Sequence, residues 1–460
     1  MGNASLPLSG IRIIETSDIL ALPMAMSILG DMGAEIIHVE YAQRPNFYRF
    51  LGPFPDGDPG INWHDRSGAF NGSNRSKKSF TLNLSEDSGR ELFKELVSIS
   101  DVVAENFSAR VMTNLGLNYE SLKLVKPDII MLSNSGYGHT GPWKDYVGMA
   151  QVIEAATTSH LTGFPDRTPS KAGQSIMDLV VAWNIVSAIS MALFHRNKTG
   201  QGQWIDHSML EACVPMVSSH LLDVAYNNHY SPRKGNRHNV FAPQGCYPCS
   251  GDDEWFVLSI QSDDEWAKFS ALLGEKDLLL DKYSTCENRM NNHESIDEII
   301  TNWSKSISKF EIVEKLQSLN ISAAPVNNSR DLLTNSQYKH RNFFEKIEHH
   351  EDTNIGQRIY SGLPFQMSKT DGFIQSPTAP LGYHNIYVLS DLLGLKEDDI
   401  LDLEDDGIVS EYKNGTEVQD MRVGNMPAGY KPASPSNEAL IDRGDVREND
   451  LEYKKYIEDF

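Results

Sequence analysis

The chain has 460 residues, long for one compact domain, so two are expected. Hydrophobic residues make up 40% and charged residues 23%, an ordinary balance for a globular protein in water. The net charge of −22 argues against nucleic acid or an anionic membrane surface as a partner, although a local basic cluster can still hold an anionic ligand.

The N-terminal residues lack the basic and apolar regions of a signal peptide. With only four cysteines, the expected setting is a reducing, cytoplasmic one. Residues 11–15 read as a strand, 24–32 as a helix after Pro23, and 34–40 as the next strand. This βαβ unit implies an α/β fold with a parallel, Rossmann-like sheet. Glu40 sits where a ribose-binding acid would, but the turn after the first strand has no glycine, so a dinucleotide pyrophosphate cannot approach. Arg75, Lys77 and Lys78 precede a short strand, either as a solvated edge or as a phosphate patch. A helix is expected near 88–98. Residues 101–107 form a strand whose polar end puts Asn106 at a carboxyl edge, where open parallel sheets bind ligands.

Residues 128–133 form another strand. Gly136, Gly138 and Gly141 after it match G-x-G-x-x-G literally, but Pro142 and Trp143 follow instead of a helix, so the dinucleotide context fails. The most apolar long run is 175–193, read as a buried core helix and not a membrane span, because Asp178, Asn184 and three serines interrupt it. Asp178 stands near its start among Ile176, Met177, Leu179 and Val180. A carboxylate with so little water needs partners or a purpose. A basic, glycine-bearing turn (195–203), a strand (204–208) and a further apolar helix to about 222 follow. Residues 226–243 read as a linker. Cys246 and Cys249 form a lone C-x-x-C with no second pair nearby, so no metal is expected. A strand at 254–260 and helices at 264–273, 296–306 and 309–319 make a smaller α+β domain. The chain from about 412 is polar and proline-bearing, and reads as a surface wrap or partly disordered extension.

Four stretches, in order and spacing, resemble the family III CoA-transferases, which include carnitine and formyl-CoA transferases and alpha-methylacyl-CoA racemase. They are 8–12 with 33–40; 101–107 with 115–120; 135–142; and 196–203. The resemblance covers about residues 6–409. It implies a large Rossmann-like domain built from both chain ends (1–222 and 325–411), a linker and small α+β domain (223–324) inserted between, and a 412–460 extension. It also implies an interlocked homodimer. Asp178 would be the catalytic aspartate, passing through a mixed anhydride and an enzyme–CoA thioester. CoA, a substrate and not a resident cofactor, would contact Leu20, Ala21, Arg49, Lys78, Leu82, Asn83, Asn106, Phe107, Ser108, Gly136, Tyr137 and Gly138, with Arg49 and the Lys77/Lys78 patch on its phosphates. The partners implied are an acyl-CoA and a small carboxylic acid. The chain departs from the family pattern at Ser108-Ala109-Arg110, where a Pro-Gly turn is common, and at Asn114, in place of an arginine. No glycine-run loop lies between 233 and 252, which argues against formyl-CoA and oxalate. Met149 and Ala150 stand where the racemases have histidine and aspartate. A racemase or isomerase, or a transferase with an added lyase step, stays as the alternative, with His139 as an auxiliary base.

Overall fold

Consecutive residues of the first strands go to opposite sides of one sheet, and this alternation builds two cores. The computed structural model describes residues 6–60, 62–173, 175–410 and 453–458. Strands β1 (Arg12–Thr16), β2 (Glu35–Glu40), β3 (Lys77–Thr81), β4 (Val102–Glu105), β5 (Ile130–Ser135) and β6 (Trp204–Ser208) form a six-stranded sheet. Its order is β3-β2-β1-β4-β5-β6, and every pair is parallel. Ile13, Ile36, Val102, Ala104, Ile130 and Leu132 join one core; Ile14, Ile37, Val103 and Met131 join the other. Burial on both faces accounts for the nearly continuous apolar runs in these strands.

The first core is closed by helix α1 (Ala21–Asp31) and by the 24-residue helix Ile176–Thr199. The long helix is apolar enough to cross a membrane by length and composition. Here it presents Met177, Val181, Ala182, Ile185, Ile189, Ala192 and Leu193 to the core, at helical spacing. It ends at Gly200, whose φ of 72° lets its N–H reach the carbonyl of Arg196. Arg196 in turn binds Asp101 at 2.8 Å, which fixes the helix end beside the start of β4. The second core is closed by helices Asp87–Ser98 and Tyr119–Val125, and by Val388, Leu389, Ile400, Ile408 and Val409 of the returning chain.

The chain divides into two units. The larger comprises 1–157, 173–218 and 336–460; the smaller comprises 158–172 and 219–335. The smaller unit thus includes 158–172, a stretch that the sequence-based boundaries leave in the large domain. It carries an antiparallel sheet of Gln244–Pro248, Trp255–Ser259 and Ser322–Pro325, with helices Asp263–Leu273, His293–Ser304 and Lys309–Ser318 around a core of its own. Cys246 and Cys249 are free thiols there, and burial raises the pKa of both, which leaves them unreactive. Within the larger unit a hairpin, Phe344–Glu348 with Gln357–Ser361, has no counterpart in the sequence-based expectations. The 412–460 extension lies outside the described residues except for 453–458, where the Tyr453 hydroxyl donates to Asp56.

Candidate active site

Strand order runs outward from β1 through β2 to β3 on one side, and from β4 through β5 to β6 on the other. The reversal between β1 and β4 opens a crevice at the carboxyl ends of the strands. The loops leaving β1 and β4 are stitched together there. Asn106 accepts from the Asp18 N–H at 2.9 Å and donates to the Asp18 carbonyl at 2.8 Å. The Asp18 carboxylate accepts from the Ile19 N–H at 2.8 Å and from Phe47 at 2.7 Å, drawing in the segment after β2. Ile19 is held at φ 68°, a left-handed conformation that a β-branched side chain rarely takes. Directly after it, α1 begins at Ala21 with no side chain capping its first N–H groups.

Beside this crevice lies a cavity of about 390 Å³. Leu82, Asn83, Phe107 and Ser108, four of the residues expected to contact CoA, line it. Arg44 lines it too, with an exposed side chain and no ion pair among the described residues. Arg44 follows β2 by four residues, so its nearness to a carboxyl strand end is the signal that sequence reasoning passed over.

Two of the other proposed cations, Arg49 and Lys77, are spent elsewhere. Arg49 is fully buried. It binds Glu40 through two nitrogens (2.9 and 2.6 Å) and Asp65 at 2.6 Å, with its guanidinium 3.7 Å from the centre of the Phe70 ring. Burial alone would raise the Glu40 carboxyl, but Arg49 outweighs it and holds it at about 2. Glu40 is therefore an ion-pair partner and not a ribose ligand. Lys77 is buried in β3, on Glu15 at 2.8 Å. Lys78, also in β3, lies 4.5 Å over the Tyr387 ring. Arg49 and Lys77 are thus committed to carboxylates and offer no free charge to a phosphate, whereas Lys78 meets a ring and not a carboxylate. The Asn106 amide, committed to Asp18, shapes the loop instead of offering its polar atoms to a ligand.

Asp178 lies in the first turn of the long helix and is 5% exposed. Burial, seconded by the charge of Glu154, raises its pKa from 3.8 to about 6, against a lowering hydrogen bond from Ser175. Glu154 comes from helix Ala150–Thr157 and is 1% exposed. The fully buried Cys213 feels both carboxylates: burial first, then Asp178 and Glu154, push its thiol up to about 11. The Tyr48 phenol is raised by burial, then by Asp178 and Asp18. Tyr48, Glu154 and Cys213 are thus coupled electrostatically to Asp178; of the three, the sequence offers only Glu154, as a possible second base near the acyl pocket.

His139 is not in this group. It sits between Glu105 (3.5 Å) and Asp206 (3.4 Å), edge-on to Trp204. Burial lowers its pKa, but the two carboxylates overcome that and leave it raised. Both ring nitrogens of the proposed auxiliary base thus face carboxylates. Gly136 accepts from the Leu210 N–H at 3.0 Å, and Gly138 turns at φ 83° against Asp206 and Ser208. Tyr137 packs edge-on to Trp143 and Tyr146. Tyr137 packs against the first core, and none of the three lines the 390 Å³ cavity.

The sequence profile of CoA-transferase family III matches residues 8–385. The beta subunit of succinyl-CoA–L-malate CoA-transferase from Chloroflexus aurantiacus is 30% identical over 413 residues, 88% of this chain and 98% of that protein. The succinate–glutarate CoA-transferase of Agrobacterium fabrum is 30% identical over 396 residues, 85% of this chain and 97% of that protein. Among solved structures, a CAIB/BAIF family protein from Brucella suis superposes with a TM-score of 0.77 at 29% identity, over 84% of this chain and all of that one. The chain belongs to CoA-transferase family III.

Proposed function

We propose that this chain moves CoA from an acyl-CoA to a carboxylic acid, with Asp178 as the nucleophile. The observation that carries the reading is a carboxylate 5% exposed, with its pKa raised to about 6, at the start of a core helix. Desolvation makes such a group a better nucleophile than an aspartate in water, and bound substrate supplies the proximity. Asp178 attacks the thioester carbonyl, the C–S bond breaks, and CoA leaves as thiolate. The thiolate then attacks the aspartyl carbonyl of the mixed anhydride and releases the donor acid, leaving CoA on Asp178. The acceptor carboxylate attacks that thioester, and CoA returns to the new acyl carbonyl, freeing Asp178. The uncapped N–H groups at the start of α1 (Leu20, Ala21) suit the charge that develops on oxygen.

The names of the relatives support a succinyl-CoA donor and a small acid acceptor. The racemase alternative gains nothing from His139, which Glu105 and Asp206 hold, or from Met149, which cannot carry a proton. The CoA phosphates are assigned to the Arg44 rim of the cavity. Arg44→Ala is expected to raise the KM for acyl-CoA about tenfold or more with little change in kcat, since a charge-assisted phosphate contact is worth about 1.5–3 kcal/mol. An unchanged KM would remove Arg44 from the site. A Rossmann-like large domain, a cytoplasmic setting and a homodimer belong to the same reading. Leu179, Trp183, Met191 and Phe194 leave an apolar stripe exposed on the outer side of the long helix, which suits a second copy. A light-scattering mass of one chain, 51.5 kDa, would refute the dimer.

The pH behaviour tests the nucleophile. Asp178 must be ionised to attack, so kcat/KM is expected to fall tenfold per unit below pH about 6, two units above an ordinary aspartate. A profile flat down to pH 4.5 would contradict this. The folded-state pKa is raised, so the folded chain holds this proton more tightly than the unfolded one. The stability tied to Asp178 is therefore present below pH 4 and lost as pH rises to about 6, by about 3 kcal/mol at about 1.4 kcal/mol per pH unit.

A further inference from the structure

Ser410, where the C-terminal extension leaves the described fold, is pinned to the end of β3. Its carbonyl accepts from the Thr81 hydroxyl at 3.0 Å and from the Asn385 amide at 2.9 Å, and its N–H donates to the Thr81 hydroxyl oxygen at 3.1 Å. Asn385 also lines a second cavity in the larger unit, of about 620 Å³. The extension therefore departs from the rim of that cavity. Its other described part is 453–458, where the Tyr453 hydroxyl donates to Asp56. Arg66 ties that corner to another wall of the same cavity: it donates to the Asp58 carbonyl at 3.1 Å and to the Thr353 carbonyl at 2.6 Å, and Thr353 is a lining residue. Residues 411–452, which lie outside the described residues, thus begin and end beside one cavity.

The lining says what fits there. Tyr383, Ile386 and Leu401 face the cavity and are each more than half exposed, so three large apolar groups share one wet patch. Asp352, Glu397 and Glu404 line it as well, and no lysine, arginine or histidine does. Asp65 in its wall is already neutralised by Arg49. An occupant must therefore be apolar and cationic. The extension is acidic on both sides of its middle, with Glu417 and Asp420 before and Glu438 and Asp442 after. Residues 421–432 between them have no acid. They offer Arg422 and Lys431 with Met421, Val423, Met426 and Tyr430, and Pro427 and Pro432 cut the entropy lost on ordering. Methionine adapts to irregular apolar space. From Ser410 to Met421 the extended chain reaches about 35 Å, more than the width of a cavity of this volume.

We propose that the 620 Å³ cavity is a docking site for the chain's own extension, and that its occupant is the segment 421–432 of the same chain. The apolar side chains of the segment cover Tyr383, Ile386 and Leu401, while Arg422 and Lys431 meet the rim carboxylates Glu397 and Glu404. Docking there holds the loop around Tyr383 and the helix Glu397–Asp405, two parts of the returning chain, to one another. The inference is independent of the reading of Asp178, and neither depends on the other's outcome.

The test uses the purified full chain with a photo-reactive benzoylphenylalanine in place of Leu401, and in a second variant in place of Ile386, so that one probe remains if the other disturbs folding. After irradiation, digestion and mass spectrometry map the cross-link, and mixing ordinary with isotope-labelled chains separates links within a chain from links between chains. The expected product joins the probe to a peptide within 421–432 of the same chain. Arg422→Glu with Lys431→Glu is expected to lower the yield about tenfold, and adding Glu397→Lys with Glu404→Lys to restore it, because the reversed charges again attract. A link to another segment, a link between two copies, or no link from either probe would overturn the proposal. A yield that the charge reversal leaves unchanged would overturn it too, since the acidic rim would then not be what selects the segment.

Discussion

Replacing Asp178 by asparagine is expected to lower CoA transfer by at least about 10⁴-fold, the scale seen when a nucleophile is removed and only binding remains. The substitution keeps the shape of the side chain and removes its charge. Packing of Met177, Val181 and Ala182 around it should survive. The same change should stabilise the fold at pH 8, because it removes a buried charge that the folded state disfavours. At pH 4 wild type is already protonated, and the gain should vanish. Thermal melts at the two pH values, beside steady-state rates, check both halves. Loss of activity with no pH-dependent gain would mean that Asp178 is not the strained carboxylate described. Gain without loss of activity would mean that it is strained but idle.

Replacing Arg49 by methionine is expected to cost about 3–5 kcal/mol of stability, the price of leaving a buried pair half-made. Arg49 is 0% exposed and serves Glu40 and Asp65 together, so its loss strands two carboxylates. Glu40 has its pKa held at about 2 by this partner, so it now resists acid: its contribution is complete above pH 4.5 and fades as pH falls toward 2. Arg49→Lys should recover little, since a single ammonium cannot span both acids or lie flat on Phe70. Arg49→Met with Glu40→Gln should be less damaging than the sum of the two single changes. Denaturant melts decide it. A loss under 1 kcal/mol would show that the ion network is dispensable, and would return Arg49 to the pool of ligand-binding cations.

The contrast between Arg49 and Arg44 shows where the sequence was legible. Strands such as Ile13-Ile14 and Ile36-Ile37 announce themselves, because a parallel sheet buried on both faces needs unbroken apolar runs. The long helix and Asp178 stand out for the same reason: one charge in an apolar stretch has to be explained. Charged side chains do not announce their partners. Arg49, Lys77 and Glu40 look like ligand-binding groups in one dimension, yet they neutralise residues up to 62 positions away, as Lys77 does with Glu15. Arg44 looks ordinary, and only the fold shows that it lines the cavity and makes no ion pair among the described residues. Asn106 was placed at the right strand end, but its amide serves the Asp18 loop and not the solvent side. The hairpin at 344–361 was missed because its strands are half-buried and polar, with no apolar alternation to read.

The central claim is that CoA becomes covalently attached to Asp178. Intact-mass spectra of wild type and Asp178→Ala after incubation with succinyl-CoA, with and without borohydride, test it most directly. Wild type is expected to gain the mass of CoA less water, borohydride is expected to abolish that adduct by reducing the thioester, and Asp178→Ala is expected to stay at its own mass. An adduct of equal size on Asp178→Ala, or a wild type that turns over acyl-CoA while no adduct forms under any condition, would contradict the account.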